Sequence, residues 1–302
     1  MIRMRPILLL AALLVSPAIL AQAVSTQAPT RFVFLSGPKD HGAPGRHEYE
    51  KDLRVLAEAL EAAPGIGAVE TRFHVGEAPR DLDEIADADV FIINSSSDRL
   101  PQETHPLFPP DPRLAATGYD AETTAWLEGF DALLRSGKGI VVLHYATWVE
   151  YIDARRYYFD WLGGLWVQGV SHNPSDQWHM EPVNTAHPVL RGVSAWDYRD
   201  EVFTRFFLPE DSRRTDLLIG TSERDQFAMG PQVASWAFER DDGGRAFVFG
   251  GVDYHDAMLL DDYRKFILNG IVWAAGREVP GGGVQSQTPE GIEPYVTSFG
   301  RR

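Results

Sequence analysis

The chemistry in this chain is concentrated in a few histidines and acids that fall at the ends of apolar runs. Gly139-Ile140-Val141-Val142-Leu143 stays apolar without alternation and stops abruptly at His144-Tyr145. An unbroken apolar run of this length is a strand covered on both faces, and such strands deliver ligand-binding groups from their carboxyl ends. His144 therefore stands where a neutral imidazole acts as acid, base or metal ligand near pH 7, or simply caps the strand. A second group lies in the loop Gly37 to Tyr49, which carries His41, His47 and Glu48 after the apolar run Arg31 to Ser36. The adjacent acids Asp200-Glu201 form a third group, and His255 follows the apolar run Ala246 to Gly251. His47-Glu48 is not a zincin motif, because the position of a second histidine is taken by Lys51. The chain has no cysteine, so a thiolate ligand, a cysteine nucleophile and a disulfide are all excluded.

The elements that must position these groups alternate. Strands are expected at Arg31 to Ser36, Ala68 to Val75, Asp89 to Asn94 and Gly139 to Leu143, with amphipathic helices after the first and before the last. Leu53, Leu56 and Leu60 share a face of the first helix, and Trp126, Leu127, Phe130, Leu133 and Leu134 share one of the second. Strand and helix in alternation give an α/β fold with a mostly parallel sheet and right-handed crossovers. Further strands are expected at Gln177 to Val183, Val202 to Leu208, Asp216 to Thr221 and Gln232 to Glu239, the last two as an antiparallel addition. The core strand Ala246 to Gly251 and a helix over Asp261 to Ala275 follow. Ser95-Ser96-Ser97 reads equally as a hydroxyl-binding loop or a cap. The aromatic stretch from Trp148 to Trp166 reads as a helix with a core face, or as platforms for sugar rings.

Residues 1–23 carry Arg3 and Arg5, a short apolar run and Ala21-Gln22-Ala23, the form of a cleaved secretory signal, so the mature protein is expected to be exported. No run is long enough for a transmembrane helix. A leader at 24–30, one domain at 31–279 and a flexible tail at 280–302 complete the expected organisation, with the polar 99–119 stretch as lid or irregular surface. The net charge of −15, from 43 acidic and 28 basic residues, argues against nucleic acid or an anionic membrane as partner.

Several segments together resemble the ThuA-like (trehalose utilisation) family. They are Asp40-His41-Gly42 to His47-Glu48-Tyr49, Leu143-His144-Tyr145-Ala146, His187 to Gly192, Asp200-Glu201 and Asn269 to Gly276. The resemblance implies a class I glutamine amidotransferase-like fold with a flavodoxin-like sheet between helices, and His144 in the turn where an amidotransferase has its cysteine. Without that cysteine, glutaminase activity is excluded. The resemblance further implies carbohydrate catabolism on a glycoside or a 3-keto-glycoside made by a partner sugar dehydrogenase. His144, His47, Asp200 and Glu201 are then the candidate catalytic groups. Asp40, Glu48, Tyr145, Ser95 and Trp148 are the candidate substrate contacts. His41, His47, His144 and His255 are the candidate ligands of one divalent metal, zinc or manganese. The family often has Gly-His directly after that strand, whereas here Asp253-Tyr254 precede His255, a shift of register. His187 is expected to brace backbone, and His172 and His179 are weaker candidates. A non-catalytic carbohydrate-binding protein and a metal-dependent ester or amide hydrolase are the competing classes; the chain lacks both HExxH and a Gly-x-Ser-x-Gly elbow, which weakens the hydrolase reading.

Overall fold

The computed structural model describes residues 28–39, 41–76, 78–96, 121–149 and 152–295. Its frame is a nine-stranded sheet in the order β2-β1-β3-β4-β9-β8-β7-β5-β6. The strands are β1 (Thr30–Ser36), β2 (Val69–Val75), β3 (Val90–Asn94), β4 (Gly139–Leu143), β5 (Ser175–Pro182), β6 (Trp196–Glu201), β7 (Arg214–Ser222), β8 (Gln232–Glu239) and β9 (Arg245–Phe249). The first four and β9 pair in parallel; β8, β7, β5 and β6 continue the sheet antiparallel. The sheet is thus mixed: the antiparallel addition expected at β7 and β8 extends to β5 and β6 of an otherwise parallel sheet.

Helices α1 (Tyr49–Ala62) and α4 (Asp261–Ala274) cover one face, and α2 (Ala121–Arg135) and α3 (Ile152–Leu162) the other. Leu53, Leu56 and Leu60 of α1 are fully buried against Phe32, Phe34, Val90 and Ile92. Each leucine so placed stabilises the fold by roughly 1.5–3 kcal/mol. Trp126, Phe130 and Trp161 fill the opposite core with Val33, Phe91 and Ile140. Most of the aromatic stretch after β4 is therefore core, and its helix is shorter than Trp148 to Trp166.

Two sequence expectations fail for local reasons. Val202 to Leu208 is a loop, because Phe203 gives its N–H to Gly250 O, Thr204 bridges only to His172, and Arg205 has φ 54°. The strand lies just before it, as β6. There Trp196, Tyr198 and Asp200 point inward, and the carboxylate in the third inward position hides the apolar alternation. The expected loose tail is tied down as far as Tyr295. Val284 is buried, its N–H donates to Asn269 Oδ1 at 2.7 Å, and Tyr295 N–H donates to Asp256 at 2.8 Å.

Asp200 is the hinge pin of the site edge. Fully buried, it accepts N–H bonds from Glu201, Val252, Asp253 and Tyr254 at 2.9–3.1 Å. It thereby fixes the turn after β9. That turn in turn holds the loop after β1: Arg46 bridges Tyr254, His47 N–H donates to Asp253 O at 2.9 Å and His255 N–H to Gly45 O at 2.9 Å.

Asp200→Ala would strand these buried donors, each unsatisfied group costing about 1–3 kcal/mol. Denaturant unfolding should show a loss of at least about 3 kcal/mol; a loss near zero would mean the turn does not depend on the carboxylate. His187 Nδ1 accepts from Val189 N–H at 3.3 Å, and burial, with Arg245 nearby, pushes its pKa down to about 4. Its folded pKa is below the unfolded value, so its contribution to stability is complete above about pH 6.5 and falls away as pH drops towards 4. His187→Asn, which keeps an acceptor but cannot titrate, should flatten that part of the stability–pH curve.

Candidate functional site

The carboxyl ends of β1, β3, β4 and β9 and the end of β6 meet along one edge of the sheet, and the candidate groups gather there. β4 ends at Leu143, and His144 opens a 3-10 turn with φ 51°. A non-glycine residue held in the left-handed region costs of order 1–3 kcal/mol and persists only where surrounding contacts enforce it. Here the enforcing contacts are an edge-on Phe203 ring at 4.7 Å and the His144 Nδ1 contact to Gly250 O at 3.2 Å. A carbonyl only accepts, so Nδ1 carries the proton and Nε2 keeps its lone pair. His144 Nε2 is buried and has no hydrogen-bond partner among the described residues. Gly250 must be glycine at this contact, since a Cβ there would lie 2.3 Å from Phe203 O.

His47 also has φ 51° and sits 5.2 Å from His144, ring centre to ring centre, with the His41 ring tilted against it at 4.0 Å. Tyr49 Oη meets its Nδ1 at 3.2 Å, and Asp253 Oδ1 lies 3.2 Å from its Nε2. Burial, then the neighbouring His144, His41 and Arg46, push the His47 pKa far below a histidine's usual range. Burial likewise lowers that of His144, to about 4, against the pull of Glu201 and the Gly250 carbonyl. Both rings are neutral at pH 7: bases or ligands, not acids.

Glu201 is the carboxylate that reaches them. One ligand atom each from His47, His144 and Glu201 lie within 4.8 Å of one another, the arrangement that suits a single divalent ion. Glu201 is oriented by Arg46 at 2.7 Å, Asn173 at 2.9 Å and Ser175 at 3.1 Å. Arg46 also grips Asp253 through Nε at 2.6 Å, and these two acids hold the guanidinium protonated despite its burial. Burial raises the pKa of Asp253. The donor set fits a metal: two neutral imidazoles, one fixed in tautomer by a carbonyl behind it, and a carboxylate held by its own hydrogen bonds.

The other sequence candidates separate clearly. Asp200 faces away, committed to backbone. Glu48 is a loop staple: despite burial, Lys51, Gly45 N–H and Lys39 hold its pKa down to about 2. His255 is engaged by the buried Asp52 at 2.6 Å and stands outside the His47–His144–Glu201 group. His41 joins the cluster through its ring contact with His47, though it is not one of those three. Tyr145 stacks on Trp148 at 5.1 Å, and Trp148 lies tilted against Trp166 at 4.2 Å, forming an aromatic wall beside His41. Ser95 Oγ is buried without a partner among the described residues, as are both polar side-chain atoms of its neighbour Asn94. Asp40 and the 99–119 stretch lie outside the described residues. His187 braces backbone as expected, and His179 is an exposed partner of Asp197.

Sequence reasoning missed Arg46, Asn94, Asn173 and Asp253. Arg46 and Asp253 are next to the histidines His47 and, two residues on, His255, but nothing in their spacing announces a contact across 207 residues.

A family model described as ThuA, trehalose utilisation, matches residues 112–274, more than half of the chain. No curated protein is significantly similar. Among solved structures, a ThuA-like protein from Bacteroides uniformis is 13% identical with a TM-score of 0.59, covering 84% of this chain and 94% of that one. Another from Parabacteroides merdae is 13% identical with a TM-score of 0.55, covering 86% and 98%. A cytoplasmic protein from Salmonella typhimurium is 13% identical with a TM-score of 0.52, covering 82% and 99%. At such identities the likeness is one of fold; the family model goes further, and the chain belongs to the ThuA, or trehalose utilisation, family.

Proposed function

We propose that this chain is an exported protein of carbohydrate catabolism that cleaves a glycoside, in particular a 3-keto-glycoside, by proton transfer at the His144 edge. The observation that carries the reading is the buried His144 Nε2, a lone pair without a partner among the described residues, set beside His47 and Glu201. A ketone at C3 acidifies the proton on C2. His144 Nε2 takes that proton, the C2–H electron pair becomes the C1–C2 double bond, and the C1–O bond breaks. His41, whose ring lies 4.0 Å from that of His47, protonates the departing oxygen. Asn94 and Ser95 offer hydrogen bonds to sugar hydroxyls. A partner dehydrogenase must supply the ketone. Were zinc or manganese held by His47, His144 and Glu201, His144 Nε2 would be a ligand in place of a base, and the metal would supply polarisation of the ketone oxygen instead.

The same unpartnered polar groups would serve a carbohydrate-binding protein without turnover, and His144→Ala separates the two. For an enzyme it should lower kcat on a 3-keto-glycoside by about 10²–10⁴-fold. Wild-type binding of the sugar with no product, and binding unchanged in the variant, would favour the non-catalytic reading. With His144 as base, kcat/KM should hold as pH falls below 6.5 and decline only near 4, since the neutral ring is the active form. An acidic limb at 6–7 would assign the base elsewhere. Elemental analysis of wild type beside His144→Ala and His47→Ala should show one stoichiometric metal lost in both variants if the trio is a metal centre. Absence of metal in every sample leaves His144 as base alone.

A further inference from the structure

Two strands away from His144 along the same edge, the β7–β8 loop presents an aromatic ring to solvent. Phe227 is 48% exposed and stacks face to face on His172, 4.5 Å between centres and 7° between planes. Neither ring is loose. Asp176 anchors the root of the loop through Ser222 and Arg224, and Asp225 closes its tip by accepting from Met229 N–H at 2.7 Å and Gly230 N–H at 3.0 Å. From the other side Arg205 Nη1 contacts His172 Nε2 at 3.4 Å, and the His172 backbone pairs with Thr204. Asp225, Ala228 and Arg205 all hold positive φ, a conformational cost at three positions around one exposed ring.

The stack is wired to the site. Asn173, next to His172, donates to Glu201 at 2.9 Å, and Thr204 follows Phe203, whose ring packs on His144. The strand ends place it on the correct side: β7 runs antiparallel to β8, and β8 to β9, so the β7–β8 loop emerges where β9 reaches Gly250. A flat, rigid, half-exposed aromatic surface suits the C–H face of a pyranose, which loses little entropy on meeting a ring already fixed.

We propose that Phe227, backed by His172, is a second sugar subsite, holding the neighbouring ring of a disaccharide whose reacting ring lies at His144 and Glu201. The assignment deepens the carbohydrate reading above and rests on it.

The test compares wild type, Phe227→Ala and Phe227→Trp, with 3-keto-trehalose in kinetics and with trehalose and methyl α-glucoside in ligand-observed NMR binding. Phe227→Ala should raise KM for 3-keto-trehalose about tenfold with kcat unchanged, weaken trehalose binding similarly, and leave methyl α-glucoside nearly unaffected; Phe227→Trp should restore both. Should wild type turn over nothing yet bind trehalose through Phe227, the acid–base reading fails and the subsite stands. Equal weakening of both sugars, unchanged KM and trehalose binding in Phe227→Ala, or no trehalose binding to wild type would overturn it.

Discussion

The site edge depends on one buried carboxylate meeting backbone N–H groups. Asp200 gathers donors from its own strand end and from three successive residues after β9. Those N–H donors favour the ionised form, but burial and the nearby Asp253 push its pKa up overall. By fixing the turn at Val252 to Tyr254 it fixes Asp253, which receives Arg46 and faces His47. Three segments far apart in sequence are thereby locked into one constellation before any ligand arrives.

The electrostatics of that constellation are layered. Arg46 and the acids Glu201 and Asp253 form a charged support. Against it His47 and His144 are kept neutral, because burial and their mutual proximity penalise the imidazolium. A lone pair kept unprotonated well below pH 7 is the property common to a general base and a metal ligand. The strain at both histidines, each at φ 51°, accompanies this arrangement. Rigid hydrogen-bonded neighbours absorb it: the Gly250 carbonyl for one ring, the Asp253 backbone for the other.

The mixed sheet gives the edge its breadth. The parallel half places the His41–His47 loop, Asn94 and His144 side by side, as an α/β sheet does at its carboxyl edge. The antiparallel half adds β6 with Glu201 and the β7–β8 loop with Phe227. Without that half the histidines would lack their carboxylate, and the edge would lack its exposed aromatic ledge.

Periodicity in the sequence determined the buried strands and the amphipathic helices, since a run such as Gly139 to Leu143 has no other stable placement than a doubly covered strand. It also marked His144, where such a run stops at a polar ring; His47 stood out as one of several ionisable groups in a strand-end loop, and Glu201 as half of an acid pair that the family resemblance picked out. It could not divide labour between neighbours: Asp200 and Glu201 are both acids, and only the pleat of β6 turns one into the core and the other to the site edge. Nor could it show that His255 belongs to Asp52, that Arg46 reaches Glu201 and Asp253, or that the residues after Pro280 dock on α4. Those are contacts between segments up to 207 residues apart. They are decided by sheet order and packing, which leave no spacing signature in the chain.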